Sequence, residues 1–134
     1  MKSFIAVGAL FCLCAGGVIL AAEPTAKNLQ GTWVRDVDGM TVAFSFKDKT
    51  LEIKLEKDGS KLTIDSDFQT GRDSTVFGRV VDSKQEGINS ESEKGDLFSL
   101  GVSVEGDKLT IKELKGTRVN DGAKALIEGD YKKK

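Results

Sequence analysis

Histidine is absent from all 134 residues, proline and tryptophan occur once each, and cysteine occurs twice. Without histidine there is no Ser-His or Cys-His nucleophile, no His-ligated metal and no ordinary general base near neutral pH. Both cysteines, Cys12 and Cys14, lie in an apolar N-terminal run, so the rest of the chain has no thiol for metal, redox or disulfide chemistry. Neither sign of charge is in excess. Twenty basic residues face 21 acidic ones, a net charge of −1 that lacks the basic face a nucleic-acid binder needs. No glycine-rich loop opens a helix to cradle phosphate. Carboxylate, lysine and hydroxyl chemistry remain. A hydrophobic fraction of 39% is too high for a disordered chain, and the length suits one domain.

The first segment is an address. Met1-Lys2-Ser3 is followed by 19 positions, Phe4 to Ala22, without a charge. A basic start, an apolar run and small residues at Ala21-Ala22 make a secretory signal, residues 1–22, with Glu23 as the new N-terminus. An uncleaved membrane anchor over residues 4–22 is the alternative, since such a run can just span a bilayer. Cleavage places the protein in the periplasm or outside the cell. It leaves 112 of the 134 residues, enough to bury one core without disulfides. Residues 23–29 read as a tether and 30–134 as the domain.

In the domain, apolar residues recur at every second position. Met40, Val42, Phe44 and Phe46 share a face; so do Leu51, Ile53 and Leu55; Leu62, Ile64 and Phe68; Phe98, Leu100, Val102 and Val104; Leu109 and Ile111. Period two puts such residues on one side of a strand, and none of these stretches offers the three-and-four spacing of a helix. Asp38-Gly39, Asp58-Gly59 and Gly106-Asp107 supply residue types suited to tight hairpins. Asp48-Lys49, Thr70-Gly71, Glu86-Gly87, Lys94-Gly95 and Lys115-Gly116 are weaker breaks. Strands are expected near 32–37, 40–47, 50–57, 61–69, 75–82, 97–105, 107–113 and 128–132, with an extra one around Ile88. Asn120-Asp121 caps a short helical turn before the last strand. The fold class is all-β. About eight antiparallel strands close into a barrel or stack as a sandwich, and the short connections favour an up-and-down meander barrel.

Asp65, Asp67 and Asp73 form the densest acidic group, but Gln69-Thr70 replace the ligand and glycine of a calcium loop, and the plainer reading is a solvated strand face. A carboxylate hydrolase built on them is the weakest of the functional readings. The tail Lys132-Lys133-Lys134 reads as solvated charge rather than a membrane contact. Seven aromatics remain beyond the signal segment: Trp33, Phe44, Phe46, Phe68, Phe77, Phe98 and Tyr131. They suit either the filled interior of a small barrel or the lining of a cavity.

Asn28-Leu29-Gln30-Gly31-Thr32-Trp33 resembles the Gly-x-Trp start of lipocalin-type barrels, where the tryptophan packs across the base and the glycine lets the backbone pass closely. Gly95-Asp96-Leu97-Phe98-Ser99-Leu100, Gly106-Asp107-Lys108-Leu109-Thr110-Ile111 and the tail Lys124–Lys133 are similar to a group of small exported lipocalin-like proteins of planctomycete bacteria. The resemblance spans nearly the whole domain and implies the fold, with no assigned activity. The chain lacks the length, disulfide and long helix of ordinary lipocalins. The expectation is therefore an exported, non-enzymatic lipocalin-like β-barrel that binds a small hydrophobic ligand without cofactor or metal. Trp33, Phe44, Phe46 and Phe98 are its candidate interior residues. The alternative is a structural or protein-interaction module of the cell envelope, with a filled barrel and exposed loops at 70–75 and 83–96.

Overall fold

The computed structural model describes residues 26–90 and 92–134. The expected signal segment 1–22, with Cys12 and Cys14, and Pro24 beyond it lie outside the described residues. A helical turn, α1 (Ala26–Leu29), leads into β1 (Gly31–Val37), β2 (Met40–Phe46), β3 (Thr50–Lys57) and β4 (Ser60–Thr70). Then follow β5 (Thr75–Glu86), β6 (Leu97–Glu105), β7 (Lys108–Gly116), a second helix α2 (Asp121–Ile127) and β8 (Gly129–Lys133). Each strand pairs antiparallel with the next, and β8 returns to β1 through Trp33↔Lys133 and Val34↔Lys132, closing the barrel. The eight strands stand where alternation predicts them. None of the helices among the described residues is long and apolar enough to cross a membrane.

Alternation sets the inside and the outside. Val42, Phe44 and Phe46 on β2 are buried while their neighbours are half-exposed, and Leu51, Ile53 and Leu55 on β3 repeat the pattern. The hairpins β1–β2 and β3–β4 turn at Asp38-Gly39 and Asp58-Gly59, both residues of each turn having positive φ (50° and 77°, 49° and 83°). That turn geometry matches the twist of the flanking strands. The β4–β5 turn instead sits at Asp73-Ser74, with φ of 58° and 56°, two residues beyond the Thr70-Gly71 break that the sequence offers.

Two bulges reset the alternation. Between Asp65↔Asp82 and Ser66↔Val80, β5 carries one extra residue, Val81, which turns out to solvent. Between Ser99↔Lys115 and Gly101↔Lys112, β7 carries another, with Glu113 at φ 52°. This second bulge brings Leu114 inward, to 4% exposure. Its backbone N–H donates to Glu128 Oε2 at 2.8 Å, so the amide displaced from the ladder still has an acceptor.

The extra strand expected around Ile88 does not form. β6 pairs with β5 only from Thr75 to Arg79, so the chain beyond Glu86 has no second strand to join. It makes one isolated bridge, Lys61↔Gly87, and the described residues between there and Leu97 belong to no strand. The end of the expected tether also differs. Leu29 is fully buried, and its carbonyl accepts the Trp33 indole N–H at 2.9 Å, so α1 is part of the barrel's floor.

The barrel has two unlike ends. At one, α1 and the turns after β2, β4 and β6 surround a solid plug of Leu29, Trp33, Phe46, Leu51, Phe68 and Val76, all at least nine-tenths buried. Phe46 and Phe68 meet edge to face at 5.2 Å. At the other end lie the Asp-Gly hairpins, the β5–β6 loop and α2. Asn120 caps α2 by accepting from Ala123 N at 2.8 Å. No residue of α2 is fully buried, so the cap is a large part of what holds the helix. Asn120→Ala should cost about 1 kcal/mol of local stability. Hydrogen exchange at the Ala123 amide should speed up by about fivefold, while β2 and β3 amides stay unchanged.

Candidate functional site

The interior is solid only in its lower half. Under α2 lies a cavity of about 480 Å³, within the range of small-molecule sites. Its floor and walls are apolar. Phe44 comes from β2, Ile53 and Leu55 from β3, Leu62 and Ile64 from β4, Val80 from β5, Phe98 and Leu100 from β6, and Leu114 from the bulge in β7. α2 is its roof, contributing Ala123, Leu126 and Ile127, each half-buried. Polar residues appear only around the opening: Asn89, Ser90 and Ser92 on the β5–β6 loop, and Arg118 and Asn120 ahead of α2. Asn89, Arg118 and Asn120 are solvent-exposed, which places the mouth between these two segments.

Of the four candidate residues, Phe44 and Phe98 line this cavity and Trp33 and Phe46 do not. Trp33 is the register partner of Phe44, yet its indole is tied to Leu29 at the floor. Lys133 Nζ stands 5.5 Å from the Trp33 ring centroid, a cation–π cover on the outside of the plug. Gly31, at φ 118°, lies where an added Cβ would come within 3.1 Å of Lys133 Cε. Gly31 and Trp33 thus build the base and leave the cavity to others.

Phe98 owes its place to the residue opposite. It pairs with Gly78, and a Cβ on Gly78 would fall 2.2 Å from the Phe98 ring. The ring lies flat over the glycine and closes the wall there. Leu114 and the three α2 residues were not legible as lining. Strict alternation turns position 114 outward, and a seven-residue helix leaves too short a pattern to orient.

Side chains of the first and last strands fix the roof. Arg35 points inward from β1 and its Nη1 donates to Leu126 O at 2.6 Å. Tyr131 OH donates to Ile127 O at 2.6 Å. Together they take up two of the carbonyls that the C-terminus of α2 leaves open. Tyr131 is fully buried and meets Phe44 edge to face at 5.3 Å. Burial pushes its phenol well above the ordinary tyrosine range, opposed by the charge and hydrogen bond of Arg35.

Compared with protein-family models, curated proteins and solved structures, the chain matches none of them. The barrel therefore speaks through its own geometry. That geometry offers hydrophobic contact and a polar rim of amides and hydroxyls with one guanidinium, Arg118. The acidic group is dispersed over the outer surface. Asp67 pairs with Arg79 at 3.1 Å, Asp73 occupies the β4–β5 turn, and no three acidic side chains among the described residues gather to hold a metal.

Proposed function

We propose that this chain is an exported, non-enzymatic, lipocalin-like barrel that holds a small apolar molecule beneath α2. One observation carries the reading: a cavity of about 480 Å³ with apolar walls, left open in a barrel whose other half is packed solid. A small barrel that served only as a scaffold gains by filling such a space, because every missing contact costs dispersion and burial energy. Export rests on the uncharged run Phe4–Ala22 and its basic start. The absence of histidine from the sequence and the pairing of Asp67 with Arg79 support a non-catalytic role.

The test is binding of a neutral, environment-sensitive fluorophore, N-phenyl-1-naphthylamine, with Ala123→Phe as the cavity-filling variant. The roof position accepts a larger side chain without disturbing the plug. The probe should brighten with the native chain, and its affinity should fall at least about tenfold in the variant, with little change in Tm. Equal binding by both would remove the cavity from the reading. Trp33 is a poor reporter, since it sits at the opposite end.

A second reading, an interaction module of the cell envelope, is favoured by the outer face of β5 and β6. Phe77 is 48% and Leu97 61% exposed there, large apolar side chains turned to solvent beside Arg79. Capture of an envelope protein that is lost in Phe77→Ser/Leu97→Ser would speak for it.

A further inference from the structure

The cavity mouth contains a charge cluster whose balance selects among ligands. Arg118 is the one charged side chain among the described residues that line the cavity. It is already engaged on two sides. Its Nη2 lies 2.9 Å from Glu93 Oε2 and its Nε 3.0 Å from Asp96 Oδ2. Asp96 is the less solvated of the two, with a side chain 13% exposed, and also accepts the Glu93 backbone N–H at 2.9 Å. One guanidinium between two carboxylates leaves the cluster with a net charge of −1. On α2, Asp121 in the first turn and Lys124 in the last offset each other, so the Arg118 cluster sets the sign at the opening.

A fatty-acid carboxylate arriving at this mouth meets no open cation among the described residues that line it, since Arg118 is already paired. It must displace Glu93 or Asp96 from Arg118, or lie within the field of an already negative group. Partly desolvated like charges repel by far more than they do in bulk water. The remaining polar groups are neutral. Asn120 uses its side-chain oxygen to cap Ala123 N, which leaves its amide N–H groups as donors. The Ser90 and Ser92 hydroxyls are 2.9 Å apart, and Asn89 adds a second amide. Such a rim satisfies a hydroxyl or an ester carbonyl.

We propose, building on the apolar-ligand reading above, that the cavity takes an uncharged amphiphile. Its apolar chain lies against Phe44, Ile64 and Phe98, its hydroxyl or ester end lies at Asn120 and Ser90, and the matching carboxylate is rejected. The Arg118 cluster is the selecting element.

The experiment uses the full chain and measures displacement of N-phenyl-1-naphthylamine by 1-decanol and by decanoate, at neutral pH and low salt. Decanol should displace the probe at about tenfold lower concentration than decanoate. The two heads differ in hydration from the start, so the deciding quantity is how their affinity ratio changes with the cluster. Glu93→Gln/Asp96→Asn strips both carboxylates from Arg118 and should shift the ratio toward decanoate by about tenfold. Glu93→Gln alone, at a side chain 69% exposed, leaves the Asp96 turn intact and should shift it by about threefold. Decanoate binding as tightly as decanol to the native chain, or an unchanged ratio in both variants, overturns the proposal. A native chain that does not bind the probe at all overturns the cavity reading with it, whereas probe binding with decanoate preferred overturns only the head-group inference.

Discussion

Trp33→Ala is expected to lower the unfolding free energy by about 3–5 kcal/mol, the largest single-residue loss in this barrel. The indole is fully buried within the plug, and its removal opens a void among side chains that are themselves closely packed. It also strands the Leu29 carbonyl, which loses its donor inside the floor. The covering contact from Lys133 contributes little beside these, since its ammonium is solvated. Urea unfolding followed by circular dichroism would register the loss as a lower midpoint with an unchanged slope. A loss under about 1 kcal/mol would mean that the floor collapses freely around the vacancy, and the plug would then not be the rigid element described.

The second large effect is alkaline. Tyr131 is the sole tyrosine, so its titration is read without interference from others. In an unfolded chain the phenol loses its proton near pH 10, whereas burial holds it protonated in the barrel to higher pH. The folded state thus binds a proton that the unfolded state has released. The contribution is complete below pH of about 10 and is lost as the pH climbs above it, by up to about 1.4 kcal/mol for each pH unit. Tyr131→Phe has no proton to lose and should lack this slope. At neutral pH the variant should be weaker by about 1 kcal/mol, the hydrogen bond to Ile127 O. Stability curves of the two proteins against pH should therefore cross in the alkaline range. Parallel curves would show that the ring is reached by water in the native state.

The barrel itself was written in the amino-acid order because its rules are local. Period-two apolarity decides which side chains turn inward, and Asp-Gly pairs decide where hairpins reverse. The cavity was half-legible. Parity assigned Trp33, Phe44, Phe46 and Phe98 to the inside, and all four face it or pack into it. What parity lacks is height along the barrel axis, and height separates Phe44 and Phe98 at the cavity from Trp33 and Phe46 in the plug. Register supplies that height, and register is a property of strand pairs. The same holds at Val81 and Glu113, where an extra residue shifts every later position by one. Leu114 lines the cavity only because of such a shift. Leu29 looked like the end of a tether since nothing beside it in the chain shows that Trp33 reaches back to its carbonyl.

The closure of β1 on β8 has a consequence for connectivity. The amide of Lys134 donates to Thr32 O at 2.9 Å, so the described chain finishes beside its own first strand, at the floor. Every ladder joins sequence neighbours or this one pair of ends. A linker of a few residues from Lys134 back to α1, with new ends cut at Asp58-Gly59, would yield a circular permutant in which all eight pairings survive. The order in which the strands are threaded is incidental to the wall they make, and the cut at Asp58-Gly59 leaves both that wall and the α2 roof of the cavity in one piece.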